Sequence, residues 1–171
     1  MLRNVSKKIV ILLIVCIFSL PTVLSSDDDW PMFRHDPQHT GYTDCEMPDE
    51  LELLWKYKTG GRVASSPAVV NGKVYFGSDD SYIYCLDAEN GELIWKYKTG
   101  GGVYSSPSVA NNRVYVGSDD NYIYCLNAEN GELIWKYETG SGVYSSPSVA
   151  NNSCLLYTSP SPRDLSTSRM P

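Results

Sequence analysis

Two aspartate pairs, two histidines, three serine pairs and one arginine set against two tyrosines are the residues whose types and spacing could do chemistry here. Asp79-Asp80 and Asp119-Asp120 offer the oxygen donors a hard cation such as calcium takes. A calcium loop needs more donors at set spacing, and each pair stands beside turn residues, so a tight turn is preferred. His35 and His39 are four apart, a zinc-like spacing on a helix, but Pro37 between them argues against a regular helix. Ser65-Ser66, Ser105-Ser106 and Ser145-Ser146 have no G-x-S-x-G context and no partnering histidine nearby, so nucleophilic catalysis lacks support and no catalytic or metal residue is assigned. Arg62, Tyr104 and Tyr144 are the candidate ligand-binding residues: a fixed positive charge and two aromatic walls. They fall where repeated segments otherwise agree, Arg62 against Gly102 and Gly142, and Ala64 against Tyr104 and Tyr144. Drift at exposed positions is the competing explanation.

These residues are positioned by a repeat. Trp55, Trp95 and Trp135 are spaced by forty, and Gly61–Gly100 differs from Gly101–Gly140 at only ten of forty positions. Self-similarity at this period signals a solenoid or a propeller. Within one repeat, Ser66–Val70 is a short apolar run opening near a proline, followed by Asn71-Gly72, the strongest two-residue hairpin signal. Lys73–Gly77 reads as a second strand, Tyr82–Leu86 as a third and Glu92–Tyr97 as a fourth, with turns at Asp79–Ser81 and Glu89–Gly91. Four strands and three tight turns in forty residues make one propeller blade. The third strand is apolar on both faces, Ile83 and Cys85 one way, Tyr82, Tyr84 and Leu86 the other, as a blade between two others requires. The fold class is therefore all-β, a partial β-propeller of four-stranded antiparallel blades, and the outer-to-inner loops carrying Arg62, Tyr104 and Tyr144 border its central channel.

Leu86-Asp87-Ala88-Glu89-Asn90-Gly91-Glu92-Leu93-Ile94-Trp95 resembles the tryptophan docking motif of pyrroloquinoline-quinone (PQQ) repeat propellers. The motif's Ala, Gly and Trp fall at Ala88, Gly91 and Trp95, and again at Ala128, Gly131 and Trp135, with Trp55 as the earlier member of the series. The resemblance implies that these tryptophans pack between adjacent blades, and that the ring closes with seven or eight of them. Asp29–Tyr42 is similar to the segment preceding the first blade in such proteins. The family includes quinoprotein dehydrogenases, with a catalytic Asp, calcium ligands and often a Cys-Cys pair, and the scaffold lipoprotein of outer-membrane β-barrel assembly. No Cys-Cys or C-x-x-C-H occurs here, and short uniform blades are more like the non-catalytic members. No cofactor is evident; PQQ and calcium enter only if the full-length protein is a quinoprotein.

The expected organisation is a signal peptide over 1–25, an acidic segment over 26–50, about two and a half blades over 51–152, and a non-native tail over 153–171. Arg3, Lys7 and Lys8 precede the apolar run Ile9–Leu20, ended by Pro21, with Val23 and Ser25 at a small-residue cleavage pattern. Lipidation at Cys16 ranks below simple cleavage, because Val15 is not small. Cys154–Asp164 resembles a translated sequencing adapter, matched residue for residue, and Ser168–Pro171 matches the next constant stretch of the same adapter. Between the two ends stand 19 Asp and Glu against 9 Lys and Arg, so the chain lacks the basic footprint of a nucleic-acid binder. Cys85 and Cys125 occupy one repeat position, about 10 Å apart on neighbouring sheets, beyond disulfide reach, and read as small buried side chains. Cys45 is either free or bridged elsewhere.

The function expected is a non-enzymatic exported propeller, periplasmic, extracellular or cell-surface, that presents a binding surface to protein. Its other partners are the missing blades of its own chain, with no nucleic acid and no transmembrane segment after cleavage. Two alternatives stay open: a quinoprotein oxidoreductase whose active site lies in missing sequence, and a structural cell-surface repeat protein.

Overall fold

β-Branched and aromatic residues between glycine, asparagine and aspartate turns leave little choice but short strands. The computed structural model describes residues 29–43, 52–150 and 153–155. Every regular element among them is a strand. The first blade is β1 (Ala68–Val70), β2 (Lys73–Ser78), β3 (Tyr82–Asp87) and β4 (Leu93–Lys98), antiparallel in that order. The second is β5 (Ser108–Ala110), β6 (Arg113–Gly117), β7 (Tyr122–Asn127) and β8 (Leu133–Glu138). A third begins with β9 (Ser148–Ala150) paired to β10 (Ser153–Leu155). The chain is thus a partial all-β propeller.

Turn chemistry sets the register. Asn71 (φ 51°) and Gly72 (φ 68°) both take left-handed backbone, as a two-residue hairpin demands, and close Val70 onto Lys73. The β3–β4 connection is held by Asp87, whose Oδ1 accepts the N–H groups of Glu89 (2.9 Å) and Asn90 (3.1 Å). One residue is offset between Cys85 and Leu86, and again between Cys125 and Leu126, so both blades carry the same bulge.

Each third strand is buried on two sides. Ile83 and Cys85 join Tyr75 and Trp95 in a core shared with Val114, Val116, Tyr124, Leu126 and Ala128 of the next blade. Tyr84 and Leu86 face the other way, beside Phe76 and Trp55. Cys85 and Cys125 are free and fully buried; burial pushes the Cys85 thiol up to about 12 and the Cys125 thiol to about 11.

Two features depart from the sequence expectation. Leu51–Thr59 reads as the last strand of a preceding blade, yet residues 52–59 form no strand. A fourth strand needs a third strand beside it, and none among the described residues is placed there. At the other end, the repeat reading stops at 152, whereas Cys154 and Leu155 pair with Val149 and Ser148. Main-chain pairing requires no particular side chain, so these tail residues can extend the ladder whatever their origin.

Residues 29–32 run across the inner strands. Trp30 exchanges two main-chain hydrogen bonds with Val69, Pro31 O accepts from Val109 N at 2.7 Å, and the Ser148 hydroxyl meets the sulfur of buried Met32 at 3.8 Å. The signal segment, Cys16, Cys45, Leu51 and the tail beyond Leu155 lie outside the described residues. No helix among the described residues is long and apolar enough to cross a membrane.

Candidate functional site

One end of the blades carries the β2–β3 turns and the loops that pass from an outer strand to the next inner strand. These loops are tied to the turns through main chain. Asp79 N donates to Arg62 O at 2.9 Å and Val103 N to Ser78 O at 3.0 Å; one repeat later Asp119 N donates to Gly102 O and Val143 N to Ser118 O, both at 2.9 Å. The loop carrying Gly102 and Val103 is therefore held by the turns of both blades, through Ser78 of the first and Asp119 of the second.

Tyr104 and Tyr144 stand side by side on this rim, ring centroids 5.8 Å apart and planes 28° from parallel. Tyr104 donates its hydroxyl to Asp79 Oδ1 and Tyr144 to Asp119 Oδ1, each reaching the preceding blade. That hydrogen bond to a carboxylate raises the phenol pKa of both tyrosines, with a smaller lowering of Tyr104 by Arg62. The pairing depends on the residue two places earlier. A Cβ at Gly102 would stand 2.9 Å from the Tyr104 ring and 3.0 Å from Asp79 Oδ1; at Gly142 it would stand 2.6 Å from Asp119 Oδ1. Arg62 and Ala64 are the corresponding pair in the first copy, so the side chain that would obstruct the clasp occurs where the clasping tyrosine is missing. Arg62 is exposed and makes no ion pair among the described residues.

The structure thus brings Tyr104 and Tyr144 into one wall, with Arg62 on the loop one blade earlier. Asp79 and Asp119, which complete that wall, were not singled out by spacing as its members. The signal was present: Asp79 precedes Tyr104 by the same interval as Asp119 precedes Tyr144, but it links residues of different blades.

The other acids and hydroxyls have local duties. Asp80 sits in its turn, accepting from Gly60 N and the Tyr84 hydroxyl, each at 2.7 Å, and from Tyr82 N at 3.2 Å. Burial opposes its ionisation, but these donors outweigh burial and hold the carboxyl below its ordinary value. Asp120 repeats the arrangement with Gly100 N at 2.6 Å and the Tyr124 hydroxyl. The serines form a ladder across blades: Ser66 N donates to Ser106 Oγ (2.9 Å), Ser106 N to Ser146 Oγ (3.2 Å), and Ser105 Oγ to Ser145 O (2.8 Å). His35 and His39 lie on an irregular segment with left-handed backbone at both, and His39 Nδ1 is 2.7 Å from Phe33 O. Among the described residues no three His, Cys, Asp or Glu side chains are grouped to hold a metal ion.

Opposite the rim, the tryptophans lock the seams. Trp55 Nε1 donates to Ala88 O at 2.9 Å and Trp95 Nε1 to Ala128 O at 3.1 Å. Gly91 and Gly131, at φ 72° and 73°, lie directly against those rings: an added Cβ would meet Trp55 or Trp95 at 2.6 Å. Trp135 packs on Tyr115, centroids 6.0 Å apart.

A family model described as outer membrane protein assembly factor BamB matches residues 49–160. No curated protein sequence matches. Among solved structures, the chain is similar to quinohemoprotein alcohol dehydrogenase ADHIIG from Pseudomonas putida HK5, at 24% identity and TM-score 0.68, over 76% of this chain and 22% of that one. Quinohemoprotein alcohol dehydrogenase from Comamonas testosteroni is similar at 24% identity and TM-score 0.67, over 75% and 23%. BamB from Moraxella catarrhalis is similar at 21% identity and TM-score 0.55, over 60% and 33%. The chain spans a third or less of the length of these proteins, and at such identity the likeness concerns the fold alone.

Proposed function

This chain belongs to the family described as outer membrane protein assembly factor BamB, and from that premise we propose that it is part of a non-enzymatic, exported propeller scaffold whose loop rim binds protein. The rim carries the proposal: near-identical blades differ there in coupled pairs, and the differing residues Arg62 and Tyr144 are exposed. An aromatic wall on a rigid sheet gives large contact area with little ordering cost, which favours protein recognition. The positive side chain of exposed Arg62, on the loop one blade earlier, adds a polar marker for orientation.

The test places a photo-crosslinking residue at Tyr144 and, as a control, at Asn130 on the opposite end of the blades, in the full-length protein within its own cell envelope. A discrete protein adduct from position 144 and none from 130 is the expected result. Equal adducts from both ends would refute the rim as the binding surface. The rival oxidoreductase is tested separately, by titrating the full-length protein with PQQ and calcium and following the quinone absorbance. A saturable spectral change would replace the scaffold with the enzyme.

A further inference from the structure

The sequence holds three Asn-Gly steps: Asn71-Gly72, Asn90-Gly91 and Asn130-Gly131. Such a step is chemically labile in water. The glycine amide nitrogen attacks the asparagine side-chain carbonyl carbon, forming a C–N bond and expelling ammonia. The resulting succinimide takes up one water and opens to aspartate or isoaspartate. No oxidant or cofactor is involved. Glycine permits the attack because it has no Cβ to crowd it.

The fold treats the three steps unequally. Gly91 N donates to Asp87 O at 3.0 Å, and Asn90 Oδ1 accepts from Glu92 N at 2.8 Å. Gly131 N donates to Asn127 O at 2.9 Å, while Asn130 Oδ1 accepts from Glu132 N and its Nδ2 donates to Glu132 Oε2, each at 3.0 Å. Nucleophile and electrophile are both held in these two turns. Asn71 and Gly72 are exposed at a hairpin tip, with nothing within 4 Å of the place a Gly72 Cβ would take. No hydrogen bond among the described residues engages the Gly72 N–H or the Asn71 side chain. The matching turn of the second blade is Asn111-Asn112, without the glycine.

We propose that Asn71 is a site of spontaneous deamidation that loosens the N-terminal segment. The Asn71 N–H donates to Asp29 Oδ1 at 3.0 Å, and Asn71 lines a cleft of about 330 Å3 with Lys73 and Glu129 between the blades. Conversion sets a new carboxylate beside Asp29. Isoaspartate also inserts a methylene into the main chain of a two-residue turn that must close Val70 onto Lys73. Both products weaken the anchor of residues 29–32.

The purified chain is held at mildly alkaline pH, sampled over days, digested and mapped by mass spectrometry, with isoaspartate detected by enzymatic methylation. The Asn71 peptide should exchange NH2 for OH faster than the Asn90 and Asn130 peptides by roughly tenfold or more, the protection that local order gives the other two turns. In denaturant the three should convert at similar rates. Gly72→Asn, which copies the second blade's turn, should slow conversion at Asn71. If Asn90 or Asn130 in the folded protein converts as fast as Asn71, or Gly72→Asn leaves the rate unchanged, the site is wrong. Converted protein should show faster hydrogen exchange at Trp30 and Val69; unchanged exchange would overturn the loosening.

Discussion

The seam at Trp95, Ala128 and Gly131 repeats the seam at Trp55, Ala88 and Gly91 in sequence and in geometry, down to the same 2.6 Å at which a Cβ added to the glycine would meet the indole. On the rim, a Gly-x-Tyr loop in two copies gives way to Arg62-x-Ala64 in the first. The seam admits one solution because a close-packed interior has no room for a changed shape. The rim admits two, provided that both positions change together. Shape is thus fixed at the Trp-Ala-Gly seam, whereas the rim loops vary in the open; the buried exchanges, Ala68 for Ser108 and Phe76 for Val116, fall elsewhere in the blades.

Four substitutions would break or sharpen that contrast. Gly131→Ala adds a methyl group against Trp95 and forces alanine to φ 73°, and should lower stability by about 2–4 kcal/mol in urea unfolding. Gly140→Ala, whose new Cβ meets nothing within 4 Å, is the control; equal losses would erase the distinction. On the rim, Gly102→Arg alone should cost roughly 1–3 kcal/mol by displacing Tyr104 from Asp79. Adding Tyr104→Ala recreates the first copy and should recover most of the loss; strictly additive effects in the double-mutant cycle would show the pair to be uncoupled.

The smallest effect concerns acid. Asp80 has a lower pKa folded than unfolded, so its ionised form stabilises the fold above the ordinary carboxylate value, about 3.9. That contribution fades as pH falls through this value toward the lower folded one. Asp80→Asn should therefore flatten the acid limb of the stability profile and leave the neutral region's slope unaltered. An unchanged acid limb would mean that the turn does not depend on the carboxylate.

Much of this was legible in the sequence. The forty-residue period and the Asn-Gly and Asp turns give the strands and their order, and the two-sided apolar pattern of Tyr82–Leu86 predicts burial on both faces of β3. Local pattern could not reveal that residues 52–59 stay unpaired, since that depends on a neighbour rather than on their own β-propensity. Nor could it join Tyr104 to Asp79, because the contact crosses blades and each residue is individually ordinary for a loop or a turn. The serine pairs suggested only missing catalysis; their ladder emerges once inner strands stand side by side.

The segment at residues 29–32 has a kinetic consequence. Its partners Val69, Val109 and Ser148 are spread along the chain, the last 116 positions from Met32. A ribosome delivers them one blade at a time, so the earliest of these residues made are among the last to find their full complement. Contacts so distant along the chain close slowly, and docking of this segment reports that three successive units have stacked in order.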